Sequence, residues 1–306
     1  MIAKRNLSPV QVARYTARPM VWAISWSAVA VVGAYTLLDT WTGIPFPVVG
    51  TLTAALAIFI AFRNNTAFAR WSEARTAMQS VLVASRILAR QVVASTGNGV
   101  NSDAIDQEQA DAFRRRTGQL LISFGWLLAA KLRPGRKVSQ GYLAGDQSVA
   151  AAVNPPAATL VELARHIKEG IRVGALGQFD PISLEPQLVA LNNAQGVVER
   201  IATTPTLRQY DYLTRRGVLL LAALTPFGII SLAPDPVWLI LPLAISISGI
   251  FIVMSVTGAA NDEPFTGKVT DVPVEAVCTE LERDVASTVG GLEVPPPAVA
   301  QSGYLW

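Results

Sequence analysis

The sequence contains a single cysteine, Cys278, and a single histidine, His166, among its 306 residues. One cysteine excludes an intramolecular disulfide framework and any metal site built from several cysteines. The carboxylates Glu162 and Glu169 share a helical face with His166, but they cannot complete a typical zinc site without a second histidine or cysteine. The sequence also lacks a phosphate-binding glycine loop and a serine–histidine–aspartate arrangement. We therefore expect a protein that is not an enzyme and has no cofactor.

Charged residues are scarce as well. They make up 15% of the chain, whereas hydrophobic residues make up 51%. A soluble domain usually has about 25% charged residues, so the deficit indicates a membrane protein. The formal net charge of +3 is too small to suggest nucleic-acid binding by itself.

Four apolar runs are long enough to cross a bilayer. They lie at about 20–38, 45–63, 217–233 and 236–257. Asp39 is the only charge in the loop between the first two runs, Pro234-Asp235-Pro236 joins the last two, and basic residues precede each pair. The positive-inside rule then predicts that both turns lie outside and both termini lie in the cytoplasm. The expected location is the inner or plasma membrane, with the lipid bilayer as a partner.

The rest of the chain has helical patterns and weak strand signals, which predicts the all-α class. The helix of the second run should continue into the cytoplasm to about Val93, where Thr96-Gly97-Asn98-Gly99 should end it. We expect residues 64–216 to form a polar, cytosolic helical region and residues 258–306 to form a cytosolic segment with a flexible tail. Within 64–216, we expect helices over Asp106–Lys131, Ala157–Gly170 and Ile182–Thr203, with Asp180 as the cap of the last one.

The second run carries a stripe that could line a pore. Ala54, Ile58 and Phe62 are spaced by four residues and therefore share one helix face. A ring of such faces would make a narrow hydrophobic collar that gates ions by dewetting, although the spacing equally suits lipid-facing or bundle-facing residues. The four runs hold almost no charged or strongly polar residues, so one subunit has no ion path and conduction would need a ring of subunits. The residues that follow the stripe, at its inner mouth, are Arg63, Asn64 and Asn65.

Three groups of motifs resemble a known family. The run Ile58-Phe59-Ile60-Ala61-Phe62-Arg63-Asn64-Asn65, with Ala69-Arg70-Trp71 and Glu73-Ala74-Arg75, resembles the second-span signature of the bestrophins in their bacterial branch. Glu199-Arg200-Ile201 with Thr204-Pro205 is similar to a second family motif. Asn261-Asp262-Glu263-Pro264-Phe265, with Asp271-Val272-Pro273-Val274 and Cys278, is similar to a third. The resemblance covers about residues 10–285, so we expect a single bestrophin-like unit.

The resemblance implies a pentameric ion channel with four spans per subunit and a central pore lined by the second span. It implies anions as the permeating ions, chiefly chloride, although some bacterial members pass cations. The neck residues of the family correspond to Ala54, Ile58 and Phe62, and the cytosolic aperture corresponds to Phe179, with Ile182 as the alternative. The family usually has a bulky residue where this chain has alanine, which weakens the expected upper constriction.

The sequence is compatible with permeating ions of either sign. The electropositive ring edges of phenylalanine would favour an anion in the neck, and Arg63 would add to this effect if it faces the lumen. Animal bestrophins bind calcium through a longer acidic run, whereas only Asp262 and Glu263 remain here. Calcium takes about six to eight oxygen ligands, so we expect no calcium activation.

The alternatives to an anion channel are a cation-selective channel of the same fold and a membrane-anchored helical scaffold or sensor.

Overall fold

A computed structural model describes residues 9–37, 43–101, 104–133, 149, 151–206, 208–232 and 237–300. All regular structure in these residues is helical, so the predicted all-α class is confirmed. The helices are α1 (Pro9–Leu37), α2 (Phe46–Asn101), α3 (Gln107–Leu132), α4 (Pro155–Arg172), α5 (Asp180–Thr203), α6 (Arg208–Leu232), α7 (Val237–Asn261) and α8 (Val274–Val289). Four of the described helices, α1, α2, α6 and α7, are long and apolar enough to cross a membrane. The two expected outer turns, at Asp39 and at 234–236, lie outside the described residues.

The chain divides into two compact units. The first, which we call the span unit, comprises Lys4–Trp71 and Pro205–Glu263. The second, which we call the polar unit, consists mainly of Ser72–Thr204 and Pro264–Trp306. Helix α2 contributes residues to both units. The expected organisation as one bestrophin-like unit with the span limits given above stays a prediction.

The span unit is held together by apolar packing among its helices. Helices α6 and α7 pack against each other and against α1. The main core cluster adds α2 to this group through the following residues: Ala23, Val49, Leu56, Ile60, Val218, Leu221, Ala222 and Ile252. Two glycines of α6 allow close approach, because a Cβ at Gly217 would lie 2.8 Å from Leu56 Cδ1 and one at Gly228 would lie 2.9 Å from Val49 Cγ2. Such small residues are typical of helix contacts in membranes, where van der Waals packing drives association.

Helix α3 is the centre of the polar unit. It packs against α4, α5 and α8. Its start matches the prediction to within one residue, since Asp106 is the N-cap. Asp106 and Gln109 form a capping box. The Asp106 carboxylate accepts from the Gln109 backbone N–H at 2.7 Å, and the Gln109 side-chain oxygen accepts from the Asp106 backbone N–H at 3.2 Å. Phe124 on this helix is fully buried. The predicted helices over Asp106–Lys131, Ala157–Gly170 and Ile182–Thr203 are all confirmed to within two residues at each end.

The predicted end of α2 near Val93 is wrong, because the helix continues to Asn101. The Thr96 hydroxyl donates to the Val92 carbonyl at 2.9 Å and accepts from Arg114 Nε at 2.5 Å, so a side chain of α3 supports this turn. Gly99 serves close packing, since a Cβ there would lie 2.9 Å from the Gly174 carbonyl oxygen. Tertiary contacts therefore override the helix-ending tendency of the glycines.

Candidate functional site

The predicted neck residues lie on one open face of α2. Phe62 is 70% exposed and Ile58 is 57% exposed, and Ala54 is exposed as well. The opposite face is buried, because Leu56 is 7% exposed and Ile60 is fully buried in the core of the span unit. One side of α2 therefore holds the helix in its subunit, and the other side presents a wide apolar surface. This surface is available to lipid, to a second subunit or to a pore.

Arg63 points away from the open face, into the span unit. Its guanidinium forms an ion pair with Asp211 of α6, and its Nη1 donates to the Ser255 carbonyl of α7 at 2.8 Å. The Arg63 side chain is 10% exposed. The positive charge that the sequence suggested for the inner mouth is thus partnered by a carboxylate of the same chain. Sequence reasoning missed Asp211, although it is the only acidic residue in the first turn of α6.

The two asparagines after Arg63 differ in their environment. Asn64 is half-buried and its amide nitrogen donates to the Met254 carbonyl of α7 at 3.1 Å. Gly258 makes this contact possible, since a Cβ at that position would overlap the Asn64 amide oxygen. Asn65 is exposed on the same side as Phe62. Among the three predicted inner-mouth residues, Asn65 is the one that the structure brings to the open face.

Phe179 and Ile182, the predicted aperture residues, lie at the start of α5. Phe179 is 78% exposed and Ile182 is 73% exposed, so neither side chain is packed within its own chain. Large apolar side chains at an exposed helix start are typical of residues that meet a partner or line a passage. The expectation that Asp180 caps α5 is wrong. Phe179 is the N-cap residue, and the Asp180 carboxylate instead accepts from the Gly177 amide at 2.8 Å.

Glu199 holds the other end of α5. Its carboxylate accepts from Lys131 Nζ of α3 at 2.9 Å and from Gln195 at 2.7 Å. Burial raises the pKa of the Glu199 carboxyl, but the hydrogen bonds from these two side chains outweigh burial, and the pKa is lower than its usual value. The charged carboxylate thus fastens the end of α5 to α3.

An open groove of about 590 Å³ lies in the polar unit between α2 and α5. Its lining consists of Ser72, Arg75, Thr76, Gln79, Ser80, Val83, Ala84, Gln187 and Ala190. The polar groups of this lining are hydroxyls, amides and one guanidinium, and no carboxylate is among them. Within it, the Ser80 hydroxyl donates to the Thr76 carbonyl at 3.0 Å.

Two further candidate groups, Asp262 and Cys278, form hydrogen bonds within the chain. The Asp262 carboxylate accepts from the Thr206 hydroxyl, and the residues that the structure describes contain no group of three or more histidine, cysteine or acidic side chains that could hold a metal ion. Cys278 is a core residue: its thiol donates to the Gly125 carbonyl at 3.3 Å, and burial raises its pKa to about 12. A thiol with so high a pKa stays protonated and is a poor nucleophile.

His166 is also part of the packing. Its ring stacks on Phe113 with 4.1 Å between centroids, and its Nε2 lies 3.1 Å from the Phe113 carbonyl oxygen. Burial lowers the pKa of His166, and Arg116 adds to this effect, whereas the Phe113 carbonyl and Glu169 oppose it. These surroundings favour a neutral, half-buried ring.

Known proteins are similar to this chain along most of its length. A family model described as bacterial/fungal bestrophin protein matches residues 11–287. The voltage-dependent anion channel-forming protein YneE of Salmonella typhi is 28% identical over 275 residues, which cover 88% of this chain and 84% of that protein. YneE of Escherichia coli K12 is 28% identical over 264 residues, which cover 85% and 81% of the two chains.

A solved structure shows the same fold. The crystal structure of a bacterial bestrophin homologue from Klebsiella pneumoniae, phased with zinc, superposes with a TM-score of 0.76 at 24% identity. The superposition covers 90% of this chain and 98% of that one. The likeness therefore includes nearly the whole of both chains.

Proposed function

We propose that this chain, which belongs to the bacterial and fungal bestrophin family, is a membrane channel that passes anions such as chloride. The observation that carries the proposal is the open apolar stripe of Ala54, Ile58 and Phe62, whose opposite helix face is buried in the subunit. The relatives named as voltage-dependent anion channel-forming proteins support the same function. A passive channel of this kind needs no catalytic residues.

The proposed pore lies on the symmetry axis of a ring of identical subunits. The four spanning helices bury apolar clusters between them, and a path for ions through such a core would require polar or ionisable residues. A ring would instead bring several copies of the α2 stripe together around an axis. Family membership supports five copies. Phe179 and Ile182 would then form a second, cytosolic constriction.

Phe62 is the residue that we propose favours anions in the neck. Its ring edge is electropositive and can approach a partly dehydrated anion. Arg63 contributes little net charge, because Asp211 of the same chain pairs with it. That pairing is also the observation that keeps a cation-selective channel as the second candidate, since the stripe itself contains no fixed positive charge.

We propose an inner-membrane location with both termini in the cytoplasm, on the basis of the basic residues that precede each pair of spans. We further propose that calcium does not activate the channel. Asp262 is engaged by Thr206, and two carboxylates fall short of the roughly six to eight oxygens that calcium prefers. Flux that rises steeply with micromolar calcium and stops on chelation would contradict this part of the proposal.

The test is to reconstitute the purified protein in liposomes under a potassium chloride gradient. A reversal potential close to the chloride equilibrium potential supports an anion channel, and one close to the potassium value supports the cation-selective alternative. Native mass spectrometry of the same preparation gives the number of subunits. A monomer or dimer without ion flux would contradict the channel and favour a membrane-anchored scaffold.

A further inference from the structure

We infer that Arg63 and Asp211 form a clamp that fixes the turn of α2 carrying Phe62. Arg63 would then be a positioning residue for the neck and not a charge in the ion path. The inference rests on the proposed channel function. It adds a device that holds the gate in place, built from residues on three different helices.

Adjacent positions on α2 line the proposed neck and anchor the helix to its neighbours. Successive residues of a helix point about 100° apart, so Phe62 and Arg63 face different surroundings. Phe62 is 70% exposed on the open face, whereas the Arg63 side chain is 10% exposed and directed inward. The guanidinium reaches Asp211 on α6 and the Ser255 carbonyl on α7 at the same time. One residue past the proposed neck, α2 is therefore tied to both neighbouring helices.

Asn64 strengthens the same attachment. Its contact with the Met254 carbonyl places two consecutive side chains of α2 on two consecutive carbonyls of α7. The close fit at Gly258 leaves no room for a larger residue beside Asn64. The α2 residues above this point that join the core of the span unit, Val49, Leu56 and Ile60, do so through apolar packing alone. Directional contacts thus begin where the apolar stripe ends.

The energetic importance of the two contacts of Asp211 should differ. The Arg63 side chain is 10% exposed and the Asp211 side chain is 31% exposed, so the loss of Asp211 would leave the Arg63 guanidinium charged, buried and poorly solvated. The second partner of Asp211 is Arg215, with Nε 2.8 Å from Oδ2, but the Arg215 side chain is 65% exposed. Exposed pairs contribute little, so Arg215 provides a matched control at the same carboxylate.

The experiment compares Arg63→Gln, Asp211→Asn and the double variant in liposomes. The two single substitutions change the charge in opposite directions but break the same contact. A clamp predicts that both increase flux, by about threefold or more, because Phe62 is no longer held in place. The double variant should not exceed the larger single effect, since residues that share one contact are not additive. Arg215→Gln should change flux by less than about twofold.

The permeability ratio of chloride to potassium separates the clamp from a charge filter. The clamp predicts ratios within about twofold of the wild-type ratio in both single variants. A charge filter predicts shifts in opposite directions, and that result would overturn the inference. If Arg63→Gln does not assemble, Arg63→Lys replaces it. The lysine keeps the charge but loses the forked contact with carboxylate and carbonyl, so the clamp predicts increased flux and a charge filter predicts none.

Hydrogen exchange provides a readout that does not depend on conduction. Amides in residues 61–68 should exchange faster in Arg63→Gln and Asp211→Asn than in the wild-type protein or in Arg215→Gln. Assembled variants with wild-type exchange and wild-type flux would refute the clamp. A wild-type protein that passes no ions would refute the proposed channel, and the exchange comparison would still decide whether the clamp exists.

Discussion

Truncating Phe62 to alanine should increase ion flux, because Phe62 is the largest side chain of the proposed neck. Transfer of a whole large apolar side chain out of water corresponds to about 1.5–3 kcal/mol. Phe62 is 70% exposed in the single chain, so its accessible share corresponds to roughly 1–2 kcal/mol per subunit. In a ring, this free energy is part of the cost of filling the neck with water. Since about 1.4 kcal/mol is a factor of ten in an equilibrium, the share of one subunit already predicts about a tenfold rise.

The assay is chloride efflux from liposomes that contain equal amounts of assembled protein, complemented by single-channel recording. Ile58→Ala should act in the same direction with a smaller effect, because Ile58 is 57% exposed, and the double variant should exceed either single one. Phe68→Ala is the control. Phe68 is 58% exposed on the same helix, but it lies six residues away and therefore about 120° around the helix from Phe62.

Loss of a phenylalanine from α2 should thus matter at position 62 and not at position 68. The reasoning would be refuted by an assembled Phe62→Ala and Ile58→Ala double variant with wild-type flux. It would also be refuted if Phe68→Ala raised flux as much as Phe62→Ala does.

Three further changes test other parts of the molecule. Phe179→Ala should change the conductance or the relative ion permeability while the ring stays intact in native mass spectrometry; loss of assembly with unchanged selectivity would place Phe179 in a subunit contact. Gly170→Ala should lower the free energy of unfolding by about 1–3 kcal/mol in denaturant melts, because a Cβ there would lie 2.5 Å from Phe113 Cζ, whereas Gly196→Ala, with no atom within 4 Å, should not. Burial keeps the pKa of His166 below its usual value of 6.5, so the unfolded chain binds more protons and stability should fall as the pH drops through about 6.5. His166→Gln should remove that part of the pH dependence of the thermal midpoint, and an unchanged dependence would contradict the assignment.

Local and periodic signals predicted much of this fold. The apolar runs indicated the four spanning helices, and the helical pattern over Asp106–Lys131 predicted α3, which begins at Gln107 in the structure. The four-residue spacing of Ala54, Ile58 and Phe62 placed them on one face, and the structure leaves that face open. These features depend on residues close together in the chain. For that reason a single sequence was sufficient to find them.

Features that depend on distant residues were missed or wrong. The contact of Arg114 with Thr96 joins two helices and keeps α2 helical past the glycines. The pairing of Arg63 with Asp211 joins positions 148 residues apart, and nothing near Arg63 in the sequence indicates whether its charge faces a lumen or the subunit. The cap of α5 was wrong for a smaller reason, since Asp180 bonds backward to Gly177 and becomes the first helical residue.

The two faces of α2 in the span unit also bear on how this protein can change over evolutionary time. Val49 and Leu56 fit beside Gly228 and Gly217, so substitutions on the buried face need compensating changes on α6. The side chains of Ala54, Ile58 and Phe62 are exposed in the single chain, so substitutions there need no compensating change within it. Mutations at these three positions can therefore be accepted one at a time, without first passing through a poorly folded intermediate. The width of the proposed neck can thus change while the packing of α2 against α6 stays the same.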